Sequence, residues 1–242
     1  DVNELKSMGL AEKIKVGISI GDLNGIGMEV ILKTFKDARM MDFCTPIVFG
    51  SNKVASIHRK AIEMQDFTFH TINNISDTKA NKVNLLNCWQ EDIEIKFGAA
   101  TATSGKYAFQ SIKLACNALK KEEINVLVTA PINKASIQGK ISGFVGHTEF
   151  LQGNFEGEAL MIMASEVMKI AFVTGHIPLE QIKTAITGNK IISKTEQLNQ
   201  SLITDFGIRK PKIAIIGLNP HAGEDGILGS EENEIIIPAI KK

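Results

Sequence analysis

The stretch Lys13–Gly27, KIKVGISIGDLNGIG, decides the fold class of this 242-residue chain. Its first part, Lys13–Ile20, has the length and the β-branched content of a buried strand. The glycine-rich turn Gly21–Gly27 then leads into an apolar helix at about Met28–Phe35. Such glycines let backbone amides approach an anion at a helix N-terminus, but the P-loop lysine and the GxGxxG spacing are both missing. A tight packing turn in a strand-turn-helix unit therefore explains the stretch equally well.

The same alternation of strand and helix continues along the chain. Further strands are predicted at Thr45–Gly50, Lys82–Leu86, Asn125–Val128 and Lys212–Ile216, and a hairpin is predicted from Ala159–Ala164 and Ile170–Thr174. Further helices are predicted at Gly105–Lys121, Pro178–Ile186, Ile191–Phe206 and from Glu231 to the end. This pattern is typical of an α/β fold with a mainly parallel sheet.

The helix after Thr45–Gly50 begins near Ser51, whose hydroxyl can cap it. His58 in that helix has Lys53, Arg59 and Lys60 as neighbours in sequence, so we expect its side chain at the surface. His70 lies in a Thr/Asn-rich stretch without an acidic or histidine partner nearby in sequence, and we expect no catalytic role for it.

The composition excludes several classes of protein. Lys plus Arg and Asp plus Glu are equal at 27 each, so no overall charge favours nucleic acid or an anionic membrane. The three cysteines are widely spaced and form no CxxC pair, which argues against a disulfide framework or a zinc knuckle. With no apolar run of about 18 residues and no signal-peptide pattern, we expect a cytoplasmic protein.

Three of the five histidines, His147, His176 and His221, share one local setting. Each follows a glycine or a proline at a strand end or a helix start. Ligands of open α/β sheets bind outside the carboxyl ends of the strands, and imidazoles with oxygen donors suit Zn, Co, Mn or Fe. Lys134 also follows a strand and has the chemistry to bind phosphate or to transfer a proton. A histidine with backbone contacts only, or a solvated lysine, fits each position taken singly, but the threefold recurrence favours a metal or catalytic site.

Five motifs taken together resemble the 4-hydroxythreonine-4-phosphate dehydrogenase family of vitamin B6 biosynthesis. They are Gly21–Gly27, Thr129–Lys134, Gly146–Phe150, Gly175–Pro178 and Leu218–Glu224. Each motif is modest evidence by itself, whereas all five in this order are specific. The resemblance extends from Lys13 to Lys242.

The resemblance implies an isocitrate/isopropylmalate dehydrogenase-like fold, with two α/β/α subdomains and a cleft between them. Residues 1–242 are then one catalytic domain made of two intertwined subdomains, in a homodimer whose metal site is shared between subunits. His176 and His221 correspond to ligands of a divalent metal (Zn, Mg or Co), and His147 and Thr148 to substrate contacts. Lys134 is a weaker catalytic candidate, and the residues that contact NAD are not identified.

The implied reaction is the NAD-dependent oxidation of 4-phosphooxy-L-threonine to its 3-keto acid. That acid loses carbon dioxide to give 3-amino-2-oxopropyl phosphate, a step in pyridoxal 5'-phosphate biosynthesis. A metal on the alcohol oxygen would lower the pKa of the alcohol and assist hydride transfer to NAD. Family members are longer, and their third metal histidine falls beyond Lys242, so we expect the C-terminal part of the family fold to be missing here.

Three alternatives stay open at this point. A related dehydrogenase acting on a 4-phosphorylated sugar acid, threonate or erythronate 4-phosphate, would use the same metal and hydride chemistry. A phosphate acyltransferase would share the broader fold without a metal or NAD. A non-catalytic protein that binds a phosphorylated ligand would need neither.

Overall fold

The computed structural model describes residues 13–138 and 144–242, so residues 1–12 and 139–143 lie outside the description. The chain divides into two compact units, Asp1–Gly157 (unit 1) and Glu158–Lys242 (unit 2). Within the described ranges, no helix has the length and apolar character needed to cross a membrane.

Unit 1 contains a five-stranded parallel sheet with the strand order β3-β4-β2-β1-β5. The strands are β1 (Lys15–Ser19), β2 (Thr45–Gly50), β3 (His70–Ile72), β4 (Asn84–Asn87) and β5 (Val126–Thr129). The central strand β2 is buried along its whole length, as expected for a parallel strand covered on both faces. The predicted α/β fold with a parallel sheet is thus confirmed.

Helices pack on both faces of this sheet. They are α1 (Gly27–Phe35), α2 (Met40–Phe43), α3 (Asn52–Ala61), α4 (Ala102–Lys120), α5 (Lys134–Gln138) and α6 (His147–Gln152). One apolar cluster joins α1 and α3 to residues such as Ile18 and Val48. A second cluster joins α4 to the opposite face through Ile47 and Phe49. The alternation of side chains along β2 thus supplies both cores.

Unit 2 contains the predicted hairpin, in which β6 (Ile162–Ala164) pairs antiparallel with β7 (Lys169–Ala171). The helices that follow are α7 (Ile182–Ala185), α8 (Gly188–Thr204) and α9 (Ile237–Ile240). A 3₁₀ turn at Leu179–Gln181 precedes α7, and a π-helical turn at Glu232–Ile236 precedes α9.

The segment Lys212–Ile216 is not the buried strand predicted from its sequence. Among the described residues its backbone pairs with no strand, and the side chain of Ile216 is 84% exposed. A cleft of about 410 Å³ has both this segment and the hairpin strand β7 in its lining. A β-branched run becomes a strand only where another strand supplies its hydrogen bonds. Here the cleft separates the segment from β7, so β7 does not supply them.

Candidate functional site

The turn Gly21–Gly27 is fixed against the loop that follows β5. Gly21 adopts φ +69°, and a Cβ at this position would lie 2.2 Å from the Pro131 carbonyl oxygen. The amide of Asp22 donates to the same oxygen at 2.9 Å. Only glycine permits this approach, so the turn brings the carboxyl ends of β1 and β5 together.

Asn24 organises the inside of the turn. Its buried side chain donates to the Ala99 carbonyl at 2.8 Å and accepts from the Lys96 amide at 2.9 Å. Its own amide donates to the Asp22 carboxylate at 3.1 Å, and the Gly25 amide donates to the Asp22 carbonyl at 3.0 Å. Because the amides of Asn24 and Gly25 already donate to Asp22, they are not free to bind an anion. Their hydrogen bonds favour the interpretation of the stretch as a packing turn.

His58 is buried, so its predicted surface position is wrong. The residue is only 2% exposed, and its Nε2 lies 2.8 Å from the Leu23 carbonyl oxygen inside the glycine turn. The ring also meets Phe97 edge to face, with 5.0 Å between centroids. Burial lowers the pKa of His58, which makes the neutral ring the favoured form. The spacing of Val54 and His58, one helical turn apart, was the overlooked signal.

Ser51 occupies the N-cap position of α3, as predicted, but its hydroxyl makes no capping hydrogen bond. The oxygen is buried and has no partner among the described residues. Thr101, by contrast, accepts from the Ser104 amide at 3.1 Å and caps α4. It also accepts from the Asn24 side chain at 3.2 Å, which ties the start of α4 to the glycine turn.

The structure brings two predicted site residues, Lys134 and His147, together in unit 1. A Cβ placed on Gly146 would lie 3.4 Å from the Lys134 Nζ and 2.9 Å from a Glu149 carboxylate oxygen. Gly146 thus lies close to an amine and a carboxylate, and His147 and Thr148 follow it at the start of α6. The Thr148 side chain is exposed.

The His147 ring has an unsatisfied nitrogen. Its Nε2 is buried and has no hydrogen-bond partner within the described residues. Burial, and secondarily the positive charge of Lys134, lowers the pKa of His147. The imidazole nitrogen and the neighbouring ammonium group can both bind an anionic oxygen ligand, beside the carboxylate of Glu149.

Three aromatic rings support this part of unit 1. Phe109 of α4 meets Phe144 and Phe150 nearly edge to face, with centroid separations of 5.6 and 5.4 Å. Phe144 precedes α6 and Phe150 lies within it, so the rings fix α6 against α4. Sequence periodicity did not reveal this cluster, because its members come from separate segments.

The other two predicted histidines belong to unit 2, and both side chains are exposed. His176 lies in the loop after β7, and His221 lies in the turn Pro220–Gly226. The described residues contain no group of three or more His, Cys, Asp or Glu side chains that could hold a metal ion. The metal-binding roles of His176 and His221 therefore remain predictions.

The His221 turn is left-handed and is fixed by the carboxylate of Glu232. Residues 221–225 all have positive φ, between 44° and 81°. Glu232 accepts from the amides of Leu218 and Asn219 at 2.7 and 2.6 Å, and from the Asn219 side chain at 2.9 Å. These bonds lower the pKa of Glu232, with the Asn219 amide as the largest cause. Glu232 thus anchors the entry to the His221 turn, a role the sequence reasoning missed.

Comparison with known proteins shows what this chain is similar to. The family model of the pyridoxal phosphate biosynthetic protein PdxA matches residues 42–242. A 4-hydroxythreonine-4-phosphate dehydrogenase of Bacteroides thetaiotaomicron is 44% identical over 233 residues, which cover 95% of this chain and 64% of that protein. A candidate D-threonate 4-phosphate dehydrogenase of Oceanobacillus iheyensis is 31% identical and is covered over 71% of its length.

A solved structure agrees with these sequence matches. The crystal structure of a 4-hydroxythreonine-4-phosphate dehydrogenase from Burkholderia phymatum superposes with a TM-score of 0.78 at 29% identity. The match covers 96% of this chain and 71% of that one. The chain therefore spans about two thirds of the length of these relatives. It belongs to the family of the pyridoxal phosphate biosynthetic protein PdxA.

Proposed function

We propose that the protein oxidises the secondary alcohol of 4-phosphooxy-L-threonine with NAD, assisted by a divalent metal. The hydride passes to NAD⁺, the alcohol proton is released, and the product is a 3-keto acid. Because its ketone is β to the carboxylate, the acid loses carbon dioxide and takes up a proton to give 3-amino-2-oxopropyl phosphate. The observation that carries this proposal is the 44% identity, over 95% of the chain, to a relative of that name.

The geometry of unit 1 supports a phosphorylated, anionic substrate. The overall charge of the chain is zero, so attraction for an anion must come from a local site. Lys134 and the His147 Nε2, which has no partner among the described residues, supply an ammonium charge and a hydrogen-bonding nitrogen in one place. Thr148 adds an exposed hydroxyl at the start of α6. We assign substrate binding to His147 and Thr148, and to Lys134 a role in orienting the anion or moving a proton.

The metal and NAD belong to this proposal as family properties. Imidazoles suit a divalent transition metal, and the side chains of His176 and His221 are both exposed to solvent. The two histidines would supply only two of the ligands that such a metal needs. When bound, the metal would act as a Lewis acid that stabilises developing negative charge on oxygen. A homodimer with a shared metal site, and a cytoplasmic location, belong to the same proposal.

A second candidate substrate is D-threonate 4-phosphate. Six relatives named as candidates for that activity are 31% to 32% identical over 94% to 96% of this chain. The two substrates share the phosphate, the carboxylate and the oxidisable alcohol, and differ by an ammonium or a hydroxyl group at C2. The phosphate site of unit 1 therefore serves both equally, and the C2 substituent decides between them.

The test is NADH formation by the full-length protein, followed by absorbance, with each substrate in turn and with added Zn²⁺, Mg²⁺ or Co²⁺. We expect oxidation of 4-phosphooxy-L-threonine that a chelator abolishes. His147→Gln should reduce kcat/KM by about 10²-fold or more, if its contact is stronger in the transition state. His70→Gln, in the edge strand β3, is the matched control and should leave the rate unchanged. Faster turnover of D-threonate 4-phosphate would replace the first substrate with the second, and equal rates in both histidine variants would contradict the assignment of His147.

A further inference from the structure

The loops that carry the two exposed histidines of unit 2, His176 and His221, share one apolar support. Residues on both sides of each loop pack on the buried cluster around Ile191 of α8. These flanking residues are Val173 and Ile186 for the His176 loop, and Ile215 and Ile235 for the His221 turn. Both loops therefore leave the same core, and contacts between their segments decide how the two imidazoles are placed.

The carboxylate of Glu231 contacts both of these segments. Its Oε1 lies 3.3 Å from the Nζ of Lys183, which belongs to α7 in the segment after the His176 loop. Its Oε2 accepts from the side-chain amide of Asn219 at 2.8 Å, and Asn219 is the N-cap residue of the His221 turn. One side chain thus links the segment of His176 to the turn of His221.

The surroundings hold this link in one geometry. Glu231 is only 7% exposed, and the Asn219 amide donates to Glu232 as well, at 2.9 Å. Because a side-chain amide has two N–H donors, contact with two carboxylates fixes its orientation. A Cβ on Gly229 would lie 2.4 Å from the Asn219 Nδ2 and 2.7 Å from the Glu231 Oε2. The absence of a side chain at position 229 therefore leaves the space that this hydrogen bond occupies.

The backbone of the His221 turn needs support from outside the turn. Its left-handed residues other than glycine are His221, Ala222, Glu224 and Asp225. Side chains of L-amino acids disfavour this conformation, which persists only where the surroundings over-determine it. Glu232 supplies one anchor, through the amides of Leu218 and Asn219. Glu231 makes no capping hydrogen bond to the helical turn that it precedes, so its role lies in its contacts with Lys183 and Asn219.

We infer that Glu231 is a positioning residue, which fixes the His221 turn relative to the segment of His176 through Asn219 and Lys183. The inference rests on the proposed function, in which both imidazoles bind one divalent metal. Two imidazoles bind one ion well only when their separation is set in advance, because otherwise binding must also order the loops. Glu231 therefore acts on metal affinity through the placement of the histidines, without being a ligand itself.

The first measurement is the Zn²⁺ affinity of the full-length protein, by competition with a chromophoric chelator. Glu231→Ala removes both contacts and should weaken binding roughly tenfold. Lys183→Gln removes only an exposed ion pair and should weaken it about two- to fivefold. The double variant should bind like Glu231→Ala alone, because both changes act through one carboxylate. Glu158→Gln is the matched control, since it removes the carboxylate that lies 3.0 Å from the Lys194 amine in the same unit, and it should leave the affinity unchanged.

The second measurement needs no metal and uses protein with isotope-labelled histidine. Lys183 is 79% exposed, so Lys183→Gln should leave the fold intact, yet it should shift the imidazole resonances of His221. The shift should disappear when Glu231 is alanine. If the unmodified protein binds no Zn²⁺, the metal assignment of the proposed function fails, while this shift still decides the inference. Unchanged His221 resonances would overturn the inference, as would a shift that persists without Glu231 or additive losses of affinity in the double variant.

Discussion

Replacing Gly105 by alanine tests how closely α4 and α5 pack beside Lys134. Alanine normally stabilises a helix by about 0.5–1 kcal/mol relative to glycine. At this position, however, the new Cβ would lie 2.1 Å from the Ser136 carbonyl oxygen and 2.7 Å from the Ile137 amide nitrogen. Ordinary contact begins at 3.4 Å, and both neighbours are backbone atoms that no rotamer change can move. The first turns of the two helices must separate by about 1 Å.

Overpacking of this kind costs typically about 1–3 kcal/mol. For a unit of this size, in which 1 kcal/mol shifts the midpoint by about 2–4 °C, we expect the melting temperature to fall by about 2–12 °C. The single tryptophan, Trp89, is buried in unit 1, so its fluorescence reports the unfolding of that unit. Displacing α5 should also move Lys134 away from His147 and raise the pKa of His147, which NMR titration can follow.

Gly188→Ala is the matched control in a helix. Among the described residues, a Cβ there would meet only the Ala239 Cβ, at 4.0 Å, so the substitution should be neutral or stabilising. A Gly105→Ala protein that melts at or above the temperature of the unmodified chain would refute the packing argument. So would an unchanged His147 titration in a protein whose melting temperature has fallen.

Three further predictions follow from buried groups. Burial lowers the pKa of His58, so the folded protein holds the ring neutral while the unfolded chain protonates it near its ordinary pKa of about 6.5. The free energy of unfolding should therefore decrease as the pH falls below about 6.5, and His58→Gln should weaken that dependence in denaturation curves. Burial raises the pKa of Cys88 to about 12, so iodoacetamide should label it in the unfolded but not in the native protein; labelling at equal rates would contradict this. Glu232→Gln replaces an accepting carboxylate oxygen with an amide donor that faces the Asn219 side chain. The backbone amides of Leu218 and Asn219 should then exchange faster with solvent deuterium. Unchanged exchange would show that Glu232 does not hold the turn.

Local sequence patterns were sufficient for the elements of unit 1. Thr45–Gly50 is a strand over the predicted range, because an uninterrupted apolar run between a proline and a glycine signals a buried strand. The strand-turn-helix unit at Lys13–Phe35 was also predicted, because the glycines separate a β-branched run from an apolar helical run. These features depend on neighbours in sequence.

Features that depend on tertiary contacts were missed. His58 was assigned to the surface from its charged neighbours, yet its helix turns that residue inward toward Leu23. Lys212–Ile216 has the composition of a strand but pairs with no strand in the part of the chain that the structure describes. The approach of Lys134 to Gly146 joins segments on either side of residues 139–143, and no spacing rule predicts it.

The most direct test of the account is a binding measurement at His147 in the chain itself. Protein with isotope-labelled histidine is titrated with 4-phosphooxy-L-threonine and, separately, with 4-hydroxythreonine that lacks the phosphate. We expect the phosphorylated compound to shift the His147 Nε2 resonance and Lys134→Gln to weaken the binding, while the unphosphorylated compound has little effect. An unchanged His147 resonance, or equal shifts with both compounds, would contradict the placement of a phosphorylated substrate at this site.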